Sequence, residues 1–152
     1  MKRVIGLDVG DKTLGVAVSD ELGLTAQGVT TCRRTSLAAD LEFLRQVIAQ
    51  YAASALIVGL PKNMDGSLGP QAQKTLAFIE RLRQGCAIPV VAWDERLTTR
   101  EAERVLLAAN TSRQRRKRVR DRLAAQLILQ SYLEWLRLHP DGSHSEGSTT
   151  SP

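Results

Sequence analysis

The 152-residue sequence predicts an α/β fold: a five-stranded mixed sheet, three antiparallel-type strands followed by two parallel ones, with helices on both faces. Two observations predict it. Three extended runs rich in β-branched residues come first, separated by glycine-containing turns. Two short, wholly apolar runs then alternate with segments whose apolar residues recur at helical spacing, the pattern of strands covered on both faces of a parallel sheet.

Residues 3–9 (RVIGLDV) and 13–19 (TLGVAVS) flank a GDK turn and read as a hairpin, and a third extended run follows at about 24–32. Ser36 opens a helix on which Leu37, Leu41, Leu44, Val47, Ile48 and Tyr51 share one face. ALIVGL (55–60) is a buried strand ending at Pro61 and the loop PKNMDGSLG. Pro70 suits the first position of the next helix, which runs to about Gln84 with Ala72, Leu76, Ile79 and Leu82 inward. IPVVAW (88–93) is the next buried strand, and Thr98 with Glu101 makes a capping box for a third helix. A basic stretch at 113–122 precedes a last helix ending near Leu138. One domain therefore spans 1–138, and 139–152 is a polar tail with the composition of a disordered segment.

Composition narrows the function. Apolar residues make up 43% and aromatics only 4%, so the core is aliphatic and base stacking on aromatic platforms is disfavoured. The formal charge of +5 fits a polyanionic partner. Cys32 and Cys86 stand in no metal-ligand spacing and read as reduced thiols, which fits the cytoplasm. The N-terminus lacks the pattern of a signal peptide, and no apolar run approaches the ~18–20 residues of a membrane span. A membrane partner is not expected, and a homodimer is left open.

The acidic residues carry the chemistry. Aspartate is depleted in strands, yet Asp8 lies inside the first one, between Gly6 and Gly10. Asp94 and Glu95 close the strand IPVVAW, and strand alternation puts only one of them on any given face. Asp121 stands at the head of the last helix, ahead of Ala124, Ala125, Ile128 and Tyr132. In open α/β sheets, ligands bind beyond the carboxyl ends of the strands. Ionised carboxylates gathered there repel one another unless a divalent cation joins them. Both histidines, His139 and His144, fall in the tail, so an all-oxygen site favours Mg²⁺ or Mn²⁺ over Zn²⁺. Beside Asp121, Arg113, Arg115, Arg116, Lys117, Arg118, Arg120 and Arg122 form a dense positive run suited to phosphate contacts.

Four stretches taken in order, VIGLDVGDKTLGVAVSD, LIVGLPKNMDGS, WDERLTT and DRLAAQLILQSYLE, resemble the YqgF/RuvX family over about residues 3–137. Its members are similar to the Holliday-junction resolvase RuvC and share the RNase H-like fold. The resemblance implies a divalent-metal-dependent nuclease, with a role proposed for the family in maturing the 5′ end of pre-16S rRNA and an older proposal of activity on branched DNA. By position it implies Asp8, Glu95 and Asp121 as catalytic and metal-binding acids, and it prefers Glu95 to Asp94. Two departures stand out. RuvC resolvases carry an Asp pair three residues apart at the last helix, whereas Arg118 and Ala124 occupy the positions three before and three after Asp121. Arg120 and Arg122 flank Asp121 where family members more often carry apolar or small residues.

Substrate-contact candidates are Lys12 and Thr13 in the first turn, Asn63 and Asp65 in the loop after the fourth strand, Arg96, and the basic residues Arg115, Arg116, Lys117 and Arg118. Each has a plainer alternative: GDK as a tight turn, Asp65-Gly66 as turn chemistry, Arg96 as partner to a carboxylate. Two other functions fit parts of the sequence. D-x-G followed by T-x-G-V-A also resembles the phosphate loop of the actin and hexokinase superfamily, but those enzymes duplicate the domain and this chain has one copy. A non-catalytic rRNA-binding module would need only the basic run.

Overall fold

The computed structural model describes residues 3–98 and 113–139, and the side chains within 3–98 and 124–139. Five strands, β1 (Val4–Val9), β2 (Thr13–Ser19), β3 (Ala26–Arg33), β4 (Ala55–Leu60) and β5 (Val90–Asp94), form one sheet in the order β3-β2-β1-β4-β5. β1, β2 and β3 pair antiparallel, whereas β4 and β5 join β1 in parallel, as the sequence predicts. Helices α1 (Leu37–Tyr51) and α2 (Pro70–Gly85) cross between the parallel strands, and α3 (Arg113–Leu138) closes the chain. The expected helix after Thr98 and the tail beyond His139 lie outside the described residues.

Strand alternation divides the core in two. Ile5, Leu7 and Val9 of β1 face α1 and α2, together with Leu56, Val58 and Leu60 of β4. Val4, Ile57, Val91 and Trp93 face α3, which presents Ala125, Ile128, Leu129 and Tyr132. Ser36 caps α1 by accepting a hydrogen bond from the Ala39 amide at 3.1 Å, and Pro70 starts α2.

Two features of α3 differ from expectation. It begins at Arg113, so the basic run is part of the helix rather than a loop before it, and Asp121 stands about two turns inside rather than at its head. Arginine and lysine are good helix formers, and like-charge pairs at helical spacing cost only about 0.2–0.5 kcal/mol each. Secondly, Ala125 faces the sheet while Ala124 is exposed.

The approach of α3 is unusually close because the sheet offers glycines beneath it. A Cβ at Gly6 would fall 2.6 Å from Leu129 Cβ and 3.0 Å from the Ala125 carbonyl. Buried polar groups then fix the helix in place. Gln130 accepts from the Ala26 amide at 2.8 Å and donates to the Leu24 carbonyl at 3.1 Å, and Trp93 Nε1 donates to Ser131 Oγ at 2.8 Å. Among the described residues no helix is long and apolar enough to cross a membrane.

Candidate active site

Asp8 is the third residue of the β1 face that turns to α3, after Val4 and Gly6. Its cross-strand partner on β2 is Gly15, where a Cβ would lie 3.6 Å from both Asp8 Cβ and Ala125 Cβ. The acid thus stands on the α3 face with a bare glycine beside it and the helix close by. It is half-buried, and burial holds its carboxyl above the usual aspartate value of 3.8.

Glu95 reaches the same place from two strands away. It is the first residue of a single 3₁₀ turn, Glu95–Leu97, that follows β5. β4 separates β5 from β1 in the sheet. The register pairing Leu7 with Val58 places Asp8 alongside Gly59, and Glu95 lays its carboxylate over that glycine: a Cβ at Gly59 would be 2.6 Å from Glu95 Oε1. Glu95 Oε1 thus lies over the strand next to Asp8, on the face that Asp8 shares. Burial first, then the charges of Asp8 and Asp94, push Glu95 from 4.5 up to about 7.

Asp94 has a different task. Strand alternation turns it to the other face, where it is only 4% exposed. Arg96 donates from Nη2 at 2.7 Å, from Nε at 3.1 Å and from its own amide at 2.9 Å. Burial alone would raise the Asp94 carboxyl, but the Arg96 hydrogen bonds outweigh it and leave the group below the usual aspartate value. The choice between Asp94 and Glu95, undecided by strand alternation alone, is thereby a matter of face: Glu95 lies with Asp8.

The other candidates sit around this edge. Arg96 also donates to the Met64 carbonyl at 3.2 Å, so it ties the loop after β4 to Asp94. Asn63 donates to Ser67 Oγ at 2.9 Å, and Asp65 accepts from the Ser67 amide at 2.9 Å. Those bonds hold the exposed loop in shape, with Gly66 at φ +89°, and the Ser67 hydroxyl bond keeps the Asp65 carboxyl low. Lys12 and Thr13 are exposed in the first turn, where the Gly10 amide donates to the Thr13 carbonyl at 2.9 Å. The side chains of Asp121, Arg115, Arg116, Lys117 and Arg118 lie outside the described residues; the Asp121 position is one helical turn before Ala125.

Two contributors escaped the sequence reading. Gly59 was signalled only as a glycine inside an otherwise apolar strand, which often marks close approach. Arg34 carried no signal. It donates to the Gly10 carbonyl at 2.7 Å and to Asp40, which is 3% exposed, at 2.9 Å, and its guanidinium lies 4.9 Å from the Phe78 ring. This clamp fixes the turn directly after Asp8.

Among the described residues no group of three histidine, cysteine or acidic side chains is assembled. Asp8 and Glu95 make an all-oxygen pair whose proximity disfavours its own ionisation, a donor set that suits a hard divalent cation.

The five-stranded mixed sheet with a long helix packed on one face is shared with solved RuvC structures. Thermus thermophilus RuvC, solved in complex with Holliday junction substrate, matches with a TM-score of 0.61 at 15% identity, covering 91% of this chain and 96% of that one. Another T. thermophilus RuvC structure gives 0.57 at 16% identity over 90% and 96%. Sequence narrows this class to one family. The RuvX model, described as Holliday junction resolvase, matches residues 2–135, and the chain belongs to the RuvX family. A Thermoanaerobacter pseudethanolicus protein named "Putative pre-16S rRNA nuclease" is 56% identical over 133 residues, covering 87% of this chain and 96% of its own. A Moorella thermoacetica protein of the same name is 56% identical over 134 residues, covering 88% and 96%. The protein is accordingly a hydrolase of the nuclease class.

Proposed function

We propose that the protein is a divalent-metal-dependent nuclease that hydrolyses phosphodiester bonds in structured nucleic acid, and that its substrate is the 5′ end of pre-16S rRNA. The observation that carries this reading is Glu95 lying over Gly59, the β4 residue alongside Asp8, so that two half-buried carboxylates, one from β1 and one from the turn after β5, share one face at the carboxyl edge of the sheet. Their mutual repulsion has a use if a cation relieves it. Asp8 and Glu95, joined by Asp121 from α3, would hold Mg²⁺ or Mn²⁺. Such a cation supplies charge stabilisation at the reacting phosphate and an activated water.

The chain's own residues do the rest. Glu95, whose carboxyl is held at about 7, would give up its proton as the site fills, which makes binding favour higher pH. Arg34 and Asp40 keep the Asp8 turn in place, and Arg96 with Asp94 keeps the loop at 61–69 beside the site. Lys12, Thr13, Asn63 and Asp65 would touch substrate from the loops after β1 and β4, and Arg115, Arg116, Lys117 and Arg118 would supply sequence-independent phosphate contacts. Nucleic acid in the cytoplasm is the partner.

The test uses a pre-rRNA 5′-leader fragment and a four-way DNA junction, each with Mg²⁺ or Mn²⁺. Wild type cleaves the RNA at a defined position, and Asp8→Asn still binds but does not cleave. Equal cleavage by Asp8→Asn sinks the mechanism. Preference for the junction over the leader replaces the rRNA reading with junction resolution, the activity in the family's description.

A further inference from the structure

We infer that Gly59 is a positioning residue: the side chain it lacks is the seat in which Glu95 lies, so β4 delivers the second acid of the site without supplying it. The inference rests on the proposed pairing of Asp8 with Glu95. It concerns how an acid just after β5 comes to lie over β4, on the face of the acid on β1.

The glycine is there for space and not for backbone freedom. Among the described glycines only Gly23 and Gly66 have positive φ, so Gly59 holds a conformation that any residue adopts. Its neighbours on the same face of β4, Ala55 and Ile57, are packed into the α3 core and carry side chains. At Gly59 atoms of two side chains crowd the place of a Cβ: Ile128 Cδ1 at 2.3 Å and Cγ1 at 2.9 Å, and Glu95 Oε1 at 2.6 Å. Ile128 Cδ1 and Glu95 Oε1 are both ends of flexible side chains, so a methyl group at position 59 requires each of them to move. For Glu95 that movement takes its carboxylate off the sheet surface. By contrast, a Cβ at Gly15, on the other side of Asp8, would meet nothing closer than 3.6 Å. The crowding is confined to the side from which Glu95 arrives.

The plainer explanation is that Gly59 serves Ile128 alone, as a packing glycine. The two explanations separate in a double variant. Ile128→Ala removes both Ile128 atoms that crowd position 59, and Gly59→Ala then occupies part of the vacated space. Thermal unfolding, Mn²⁺ affinity by calorimetry and a crystal structure are measured for Gly59→Ala, Ile128→Ala and the double variant, with Glu95→Gln as reference.

If Gly59 seats Glu95, the double variant regains part of the stability that the single changes lose. Its Mn²⁺ affinity nevertheless stays about 10–100-fold below that of Ile128→Ala, the loss typical of a removed support for a metal ligand. Its structure shows the Glu95 carboxylate displaced from β4. Mn²⁺ affinity equal to that of Ile128→Ala, or a Glu95 carboxylate unmoved over the new methyl, overturns the inference. Failure of the metal reading looks different: wild type and Glu95→Gln then bind Mn²⁺ equally weakly, and the position of Glu95 in the crystal still decides whether Gly59 seats it.

Discussion

Replacing Glu95 by Gln should stabilise the metal-free protein at pH 8 and do little at pH 4.5. The folded protein holds the Glu95 carboxyl at about 7, against 4.5 for an unperturbed glutamate, because it is buried beside Asp8. A group whose pKa is raised by folding binds its proton more tightly in the folded chain. Folding is therefore most favoured by this group below 4.5, and that advantage is lost as the pH rises through about 7. Above that value wild type carries the whole penalty of an ionised carboxylate in this place. The gap between the two pKa values corresponds to about 3 kcal/mol. Solvent reaches the half-buried carboxylate, and screening brings this to about 2 kcal/mol. Glutamine keeps the shape and removes the charge, so Glu95→Gln should gain about 2 kcal/mol at pH 8, or about 4–8 °C in Tm for a chain of this size. The assay is thermal unfolding of chelator-treated wild type and variant at several pH values between 4.5 and 8. A gain of the same size at every pH, or a wild type more stable than the variant at pH 8, refutes the reasoning.

Two further outcomes follow from the same geometry. Gly6→Ala should lower stability by about 1–3 kcal/mol, because the new methyl meets Leu129 Cβ and the Ala125 carbonyl, neither of which can swing aside; an unchanged urea midpoint at constant m-value contradicts the close approach of α3. Asp94→Asn should cost about 1–3 kcal/mol at pH 7 by weakening the hold of Arg96, with the cost shrinking as the pH falls below 3.8, where Asp94 of the unfolded chain takes up its proton, and vanishing once the folded carboxyl, held lower, is protonated too; a cost that does not change with pH denies the Asp94–Arg96 pair this part.

Much of the fold was legible because it depends on short-range pattern. The hairpin of β1 and β2 follows from β-branched runs around a glycine turn, and the buried character of ALIVGL follows from its having no polar residue to show to water. The first acid was legible for a related reason: Asp8 violates the strand pattern, and a violation without local compensation points to a partner elsewhere. α3 was harder. Its basic N-terminal part reads as a loop by charge density, but helix formation tolerates like charges along an exposed surface, and the helix continues back to Arg113.

The sequence by itself determined the five strands, their order in the chain, the helices between them and the candidate acids, since these depend on side-chain chemistry and on periods of two and 3.6 residues. The family resemblance already preferred Glu95 to Asp94, and only the tertiary structure gave the physical reason. Asp94 and Glu95 are adjacent and chemically alike, yet one is locked to Arg96 on one face and the other crosses β4 on the opposite face to reach Asp8. That separation depends on a glycine 36 residues upstream of Glu95 leaving a gap of one side chain in the sheet surface. No local pattern encodes such a gap, because it exists only once β4 lies between the two strands that use it.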